Sequence, residues 1–209
     1  MKNQRADYKA SELRRKDLVE SPVEMFRIWF EQVEGIHPFE STAMTLSTTN
    51  KDGKPSSRVV LLKGYDEDGF VFYTNYESRK GREIEENPYG SLNFYWPSQE
   101  RQVRINGKLR KVSHSRSEKY FHSRPLRSQI AALASNQSGV IENRDALKKK
   151  FDELEKEFEG KDVLLPENWG GYRLEHRSVE FWQGRRDRMH DRFVYTKNGT
   201  IWQIERLAP

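Results

Sequence analysis

Four groups of residues in this chain have the types and spacing of anion-handling chemistry. Ser78-Arg79-Lys80 stands at the predicted start of a short helix, where the dipole is positive and acidic residues are the usual occupants. Two cations there conflict with the dipole unless an anion sits at that end, held by free N–H groups and both side chains. Side chains splayed into water satisfy the same sequence. Arg58-Val59-Val60-Leu61-Leu62-Lys63 is an apolar β run bracketed by two cations. By its two-residue period Arg58 and Lys63 point to opposite faces, so both serve one site only if a bulge or strand end re-aims one of them. Taken alone, the run reads as a core strand whose ends reach solvent. Tyr120 and Arg124 lie four apart on one helix face. With Ser128 at the next helix start they form a phosphate pocket or, equally on spacing, a solvated face; His122 between them reads as a surface residue. The stretch from Trp182 to Arg192 holds Arg185, Arg186, Arg188, Met189, His190 and Arg192 behind Gly184, which permits a sharp turn. The plain alternative there is a basic surface hairpin in contact with RNA.

Much other chemistry is excluded. The chain has no Cys, which removes disulfides, thiolate nucleophiles and Cys-ligated metals. His37, His114, His122, His176 and His190 show no metal-ligand spacing, so no metal site is expected. There is no nucleophile elbow, no Walker A loop and no G-x-G-x-x-G.

These residues need elements to hold them. Residues 1–20 read as a mobile basic arm with few apolar side chains. Ser21, Pro22 and Glu24 announce a helix with a capping box, Phe26, Trp29, Phe30 and Val33 give it an apolar stripe, and Gly35 ends it. Strands are predicted at Thr42–Thr49, Ser57–Lys63, Phe70–Thr74, Ser91–Trp96 and Arg101–Leu109, the first two joined through Asn50-Lys51-Asp52-Gly53. A short helix over Arg79–Glu86 interrupts them. Ser115 and Glu118 predict a second capping box for a helix ending near Arg124, since Pro125 disfavours continuation. Ser128–Ala134 and Asn143–Phe158 follow as helices. Strands return at Gly171–Glu175, Val179–Gln183, Arg192–Thr196 and Ile201–Arg206, the last pair turning on Asn198-Gly199. About eight strands with inserted helices predict a mainly β or α+β antiparallel barrel, formed by a single domain over residues 21–209.

The 209 residues suit one sizeable core. Charged residues reach 33%, above the usual quarter or so. The formal charge of +5 implies affinity for anions. Its cations are dispersed rather than blocked, and no RNP-like aromatic strand is present, so nucleic acid is not the expected partner. No run approaches the ~18 apolar residues of a membrane span, and the charged N-terminus lacks the apolar core of a signal peptide. A cytoplasmic protein without membrane contact is expected.

Taken jointly and in order, RVVLLK (58–63), FYTNYESRK (72–80), ERQVRINGK (100–108), KYFHSRP (119–125), Gln137-Ser138, EFWQG (180–184), RMHDRF (188–193) and the terminal ERLAP resemble the pyridoxine (pyridoxamine) 5′-phosphate oxidase family. The resemblance spans nearly the whole chain. It implies a split β-barrel homodimer with FMN at the subunit interface. Carried over by position, FMN is held by Arg58, Val59, Val60, Leu61, Leu62, Lys63, Tyr73, Thr74, Arg79, Lys80, Gln102, Gln137, Ser138, Trp182 and Arg192. The substrate meets Lys63, Tyr120, Arg124 and Ser128 at its phosphate, and Arg188, Met189 and His190 at its ring, with Arg5 and Tyr8 of the arm folding over. Arg188 and His190 are the catalytic candidates, while Arg185 and Arg186 match no contact and are expected to face solvent. The implied reaction oxidises the C4′ alcohol or amine of a B6 vitamer phosphate to the aldehyde, with O₂ reduced to H₂O₂. Alternatives are a split-barrel flavoprotein acting on another substrate and a non-enzymatic binder of FMN or pyridoxal phosphate.

Overall fold

A computed structural model describes residues 8–209; Arg5 lies outside them. Helix α1 (Pro22–Glu34) starts as its sequence dictates, with Pro22 at its first position and the Ser21 hydroxyl accepting the Glu24 N–H at 3.2 Å. The capping box is only half made, because the Glu24 carboxylate pairs with Arg27 instead. A short turn of helix, α2 (Pro38–Ser41), leads into the sheet.

Among the described residues the sheet has nine strands: β1 (Ala43–Thr49), β2 (Pro55–Leu61), β3 (Gly64–Asp66), β4 (Gly69–Asn75), β5 (Tyr89–Trp96), β6 (Arg101–Lys111), β7 (Trp169–Gln183), β8 (Asp191–Asn198) and β9 (Ile201–Leu207). Every pairing is antiparallel, in the order β2-β1-β5-β6-β7-β4-β3, with the β8–β9 hairpin added to β7. The sheet curls into a half-barrel, the split barrel expected, and the helices lie at its periphery.

Strand β7 is the spine of the molecule. Two strands were expected over its length, and one continuous strand of 15 residues forms. The interruption is a bulge: Asn106 faces Ser178 and Gly107 faces His176, which leaves Arg177 unpaired. Gly107 makes this crossing possible, since a Cβ there would lie 2.0 Å from the Glu175 carbonyl oxygen. One edge of β7 pairs with β6 throughout. The other pairs with β4 before the bulge and with β8 after it.

The core lies between α1 and the concave face. Phe26 is fully buried, with Phe70, Phe94 and Tyr65 at 4.9–5.0 Å between ring centroids. The apolar stripe read from the sequence is therefore the buried face of α1. A smaller cluster around Phe121, Ile130, Val163 and Trp169 joins β7 to α4 (His114–Ser123), α5 (Leu126–Ala134) and the flank of α6 (Arg144–Glu157). Two helix starts differ from expectation. Ser113, not Ser115, caps α4, because the last tie of β6, Val112 N–H to the Gly171 carbonyl at 2.9 Å, releases the chain there. Helix α5 begins at Leu126, with the Pro125 carbonyl accepting from Ser128 and Gln129.

Residues 8–20, expected to form the greater part of a mobile arm, lie against the C-terminal hairpin. Leu13 is buried, its N–H donates to Asp191 at 3.2 Å, and the Tyr195 hydroxyl donates to the Val19 carbonyl at 2.8 Å.

Candidate active site

A cavity of about 750 Å³ opens between strands β2 and β4 and helices α4 and α5. Its lining includes Arg58, Val59, Val60, Leu61 and Lys63, so both ends of the basic-flanked strand reach one site. The chain achieves this by leaving one neighbour for another. The Leu62 N–H still donates to Thr42 beyond β1, but the Lys63 N–H donates to Val71 on β4, each at 2.8 Å. That change re-aims Lys63, and it turns Leu62 into the core, 4% exposed and away from the cavity.

Helix α3 (Arg79–Glu86) brings the next cation. Ser78 caps it by accepting the Gly81 N–H at 3.3 Å. A Cβ on Gly81 would lie 1.8 Å from the Tyr76 carbonyl oxygen, so glycine alone lets α3 dock this closely. Lys80 is buried, its ammonium held by Gln137 Oε1 at 2.8 Å, Thr74 Oγ1 at 3.1 Å and Ser78 Oγ at 3.2 Å. None of these is a carboxylate. Burial, with Arg58 nearby, lowers its pKa to about 8. Arg79 points outward instead, paired with Glu83 at 2.9 Å.

Aromatic rings form the opposite wall. Tyr73 and Tyr120 stack with centroids 3.8 Å apart, and Trp169 continues the stack 5.6 Å from Tyr73. The Arg124 guanidinium lies 4.7 Å over Trp169 and donates to the Ser128 carbonyl at 2.7 Å. Its other terminal nitrogen, Nη1, is buried and has no partner among the described residues. Burial moves the Arg124 pKa down and that of Tyr120 up. Ser128 thus acts through its carbonyl and does not line the cavity. Asn75, Ala131, Ala132, Ser135 and Trp169 do line it and were not read from the sequence. Trp169 carried a visible signal, a lone Trp beside Gly170-Gly171 at a strand start. Ser138, at φ +71, lines a neighbouring cleft with Gln137.

The remaining candidates collect elsewhere. Gln102, Trp182 and Arg192 lie side by side across β6, β7 and β8. Arg192 donates to Glu180 at 2.8 Å and to the Ala208 carbonyl at 2.7 Å. Glu180, 6% exposed, also accepts from Arg104. Burial would raise that carboxyl, but the bonds from Arg192 and Arg104 bring it below its ordinary value. The loop after β7 sets Asp187 and Arg188 in succession at φ 56 and 62, a left-handed conformation unusual for such residues. Arg188 and Met189 are exposed. His190 packs 4.6 Å from Trp182, Tyr8 packs on both rings, and the Arg185 N–H donates to His190 Nδ1 at 3.1 Å. Burial, then Arg188 and Arg192, lower the His190 pKa. Arg185, expected to face solvent, is half-buried and anchors the arm through Glu12 at 2.7 Å and the Ser11 carbonyl; Arg186 is exposed.

One chain does not bring these two groups together. Trp169 begins β7 and Trp182 nearly ends it, which at roughly 3.3 Å per residue separates them by about 40 Å of strand.

An antiparallel split barrel with a cationic cavity on one flank and an aromatic–arginine row on the other defines a class of fold found in flavin-binding proteins. Residues 30–157 match the family model described as pyridoxamine 5′-phosphate oxidase, and residues 169–209 match the pyridoxine 5′-phosphate oxidase C-terminal dimerisation region. The chain belongs to the pyridoxamine 5′-phosphate oxidase family. It is 49% identical to a pyridoxine/pyridoxamine 5′-phosphate oxidase of Cytophaga hutchinsonii, over 98% of this chain and 96% of that one. The enzyme of the same name from Trichormus variabilis is 46% identical over the same shares of the two chains. Among solved structures, PhzG from Burkholderia lata, in complex with tetrahydrophenazine-1-carboxylic acid, superposes with a TM-score of 0.90 at 31% identity, covering 96% of this chain and 99% of that one. A related FMN-binding protein from Nostoc punctiforme shares the fold, with a TM-score of 0.71 at 17% identity over 92% of this chain and 100% of that one.

Proposed function

We propose that this chain is an FMN-dependent oxidase that converts pyridoxine 5′-phosphate or pyridoxamine 5′-phosphate to pyridoxal 5′-phosphate. The observation that carries the reading is a pair of cations in one cavity, one buried and one half-buried, with no carboxylate bound to either among the described residues. Lys80 stands on one side, and Arg124, with its unpartnered Nη1, on the other. Buried charges of this kind are costly unless a bound anion balances them. Two such places separated by an aromatic wall fit two phosphates, one on the cofactor and one on the substrate.

Each residue then has a task. Arg58, Lys63, Thr74, Lys80 and Gln137 hold FMN by its phosphate and polar edge, with Tyr73 and the backbone of Val59 to Leu61 beside it. Tyr120, Arg124 and Lys63 bind the substrate phosphate. FMN held by these residues would supply the two-electron acceptor of the reaction, with O₂ as the final oxidant and H₂O₂ as its product. The protein contributes orientation, which requires the Gln102–Trp182–Arg192 row and the Arg188–His190 loop from a second copy, since their own cavity is out of reach. The dimerisation region matched by residues 169–209, which contains Trp182, Arg188, His190 and Arg192, supports that arrangement.

His190 has a defined part. Its Nδ1 accepts the Arg185 N–H, so in the neutral ring the proton sits on Nε2. The free edge of the ring is therefore a hydrogen-bond donor that orients the substrate oxygen or nitrogen, not a base that removes its proton.

The test is direct. The purified protein should be yellow or take up FMN, and in air it should convert either substrate to the aldehyde with one H₂O₂ formed per turnover. A protein that FMN does not reconstitute overturns the reading. A flavoprotein inert toward both substrates leaves the alternatives of another substrate and of a non-enzymatic binder.

A further inference from the structure

The cationic side of the cavity is organised around a carboxylate that no ligand-binding motif points to. Glu83 lies in the second turn of α3, is 5% exposed, and is reached by four donors. Thr48 of β1 and Ser56 of β2 donate their hydroxyls at 2.5 Å each, Arg58 donates through Nη2 at 3.1 Å, and Arg79 through Nε at 2.9 Å. The Arg58 guanidinium is fixed further by the Leu46 carbonyl, Thr48 Oγ1 and Ser56 Oγ. Both its terminal nitrogens are thus committed to the protein, which leaves Nε without a partner among the described residues. Arg79 shows the converse: its Nε is committed to Glu83, and its terminal nitrogens have no partner among the described residues.

Glu83 thereby does two things at once. It ties the first turn of α3 to β1 and β2, which fixes where Lys80 and the helix N-terminus sit relative to Arg58. It also sets the rotation of two guanidinium groups, each presenting a defined set of N–H donors. A planar donor fork discriminates by geometry, so its orientation matters as much as its charge. We infer that Glu83 is a positioning residue for the cofactor: it orients the Arg58 guanidinium and fixes α3 so that Arg58 and Lys80 form one preorganised phosphate clamp. This rests on the FMN reading above.

Positioning and net charge predict opposite signs. If Glu83 served only as a negative charge, removing it would make the site more cationic and FMN would bind more tightly. As the hub of the clamp, its loss weakens binding. The experiment is an FMN titration of flavin-stripped protein, followed by quenching of flavin fluorescence, for wild type, Glu83→Ala, Glu83→Gln, Arg58→Ala and the Arg58→Ala/Glu83→Ala double variant. Glu83→Ala should raise the FMN Kd about tenfold, the size expected for losing a charge-assisted hydrogen bond. Glu83→Gln, with its amide oxygen toward Arg58, Thr48 and Ser56, keeps their shared acceptor and loses only the bond from exposed Arg79, and should stay within about threefold of wild type. In the Arg58→Ala background the further loss on Glu83→Ala should fall below about threefold, because the two residues act as a unit. At saturating FMN the substrate KM should not move.

Unchanged or tighter binding in Glu83→Ala overturns the inference, as do fully multiplicative effects in the double variant. Should Glu83→Ala fail to fold, Thr48→Val removes one hydroxyl that contacts both Glu83 and Arg58. It should weaken FMN about threefold, and no change there also overturns the inference. Wild-type protein that takes up no FMN removes the underlying reading instead, a result visible before any variant is made.

Discussion

At the scale of single residues the site is governed by cations whose environment is set from behind. Lys80 is the clearest case. Its pKa of about 8 means that the ammonium loses its proton within the range where most lysines stay charged. A phosphate partner needs that charge, so FMN affinity should be full below pH 8 and should fall as pH rises from about 8 to 10. Lys80→Arg keeps the charge throughout, and its affinity should stay level over that range; a fluorescence titration at several pH values checks both. On the other flank Arg188 is exposed on its strained loop and unpaired among the described residues, which suits a guanidinium waiting for a ring to stack on. Arg188→Ala should lower kcat/KM by about tenfold or more, through lost orientation, while FMN stays bound. Steady-state kinetics with the flavin spectrum recorded alongside decides it.

At the scale of elements, β7 and its bulge govern both geometry and stability. His176 sits at the bulge, 4% exposed, stacked 5.2 Å from Trp202 of β9, with neither ring nitrogen hydrogen-bonded. Burial, then Lys197, push its pKa down to about 4, against the opposing effect of Asp66 and Asp68. The unfolded chain therefore takes up a proton near pH 6.5 that the folded chain refuses until about pH 4. The stability of this histidine's neutral form is complete above pH 6.5 and drains away as pH falls toward 4, a loss of about 3 kcal/mol. Urea midpoints between pH 7 and 4.5 should show that fall, and it should shrink in His176→Phe, which keeps the stacking without the titration. The same region marks how far the sequence could be read. Most strands, α1, α3 and the Asn198-Gly199 turn were legible because period and turn chemistry are local. The continuity of β7 was not, because Arg177 and Ser178 break the alternation in the way a loop would. Ser115 lost out to Ser113 as a cap for the same kind of reason: a pairing to Gly171, distant in sequence, decides where β6 releases the chain.

At the scale of the whole molecule the cavity and the Trp182 row stand at opposite ends of β7. The motifs were visible in the chain, but not their separation along β7, and Glu83 and Glu180 escaped notice because a carboxylate amid so many charges looks like surface. If each site joins the cavity of one copy to the Trp182 row of another, two inactive variants should complement each other. Lys80→Ala lacks a cavity residue and Trp182→Ala lacks a row residue. After mixing, unfolding and refolding, about half the dimers should be hybrids, each with one intact site, restoring about a quarter of wild-type activity. Sites built from a single chain would restore none.

If one strand spans two sites, as proposed, its length is constrained. A loop can gain or lose a residue and leave the elements it joins in place. Strand β7 has no such freedom, because a shift of one residue turns every side chain beyond it to the other face. An insertion between Gly171 and Trp182 would put the cavity wall at one end out of register with the row at the other, disabling both sites of a dimer at once. The bulge at Arg177 accommodates one unpaired residue, and Gly107 leaves room for the crossing. On the proposed arrangement the length of β7 is set by the distance between two active sites as well as by the stability of the sheet, and a one-residue insertion within it should abolish activity even where the protein still folds.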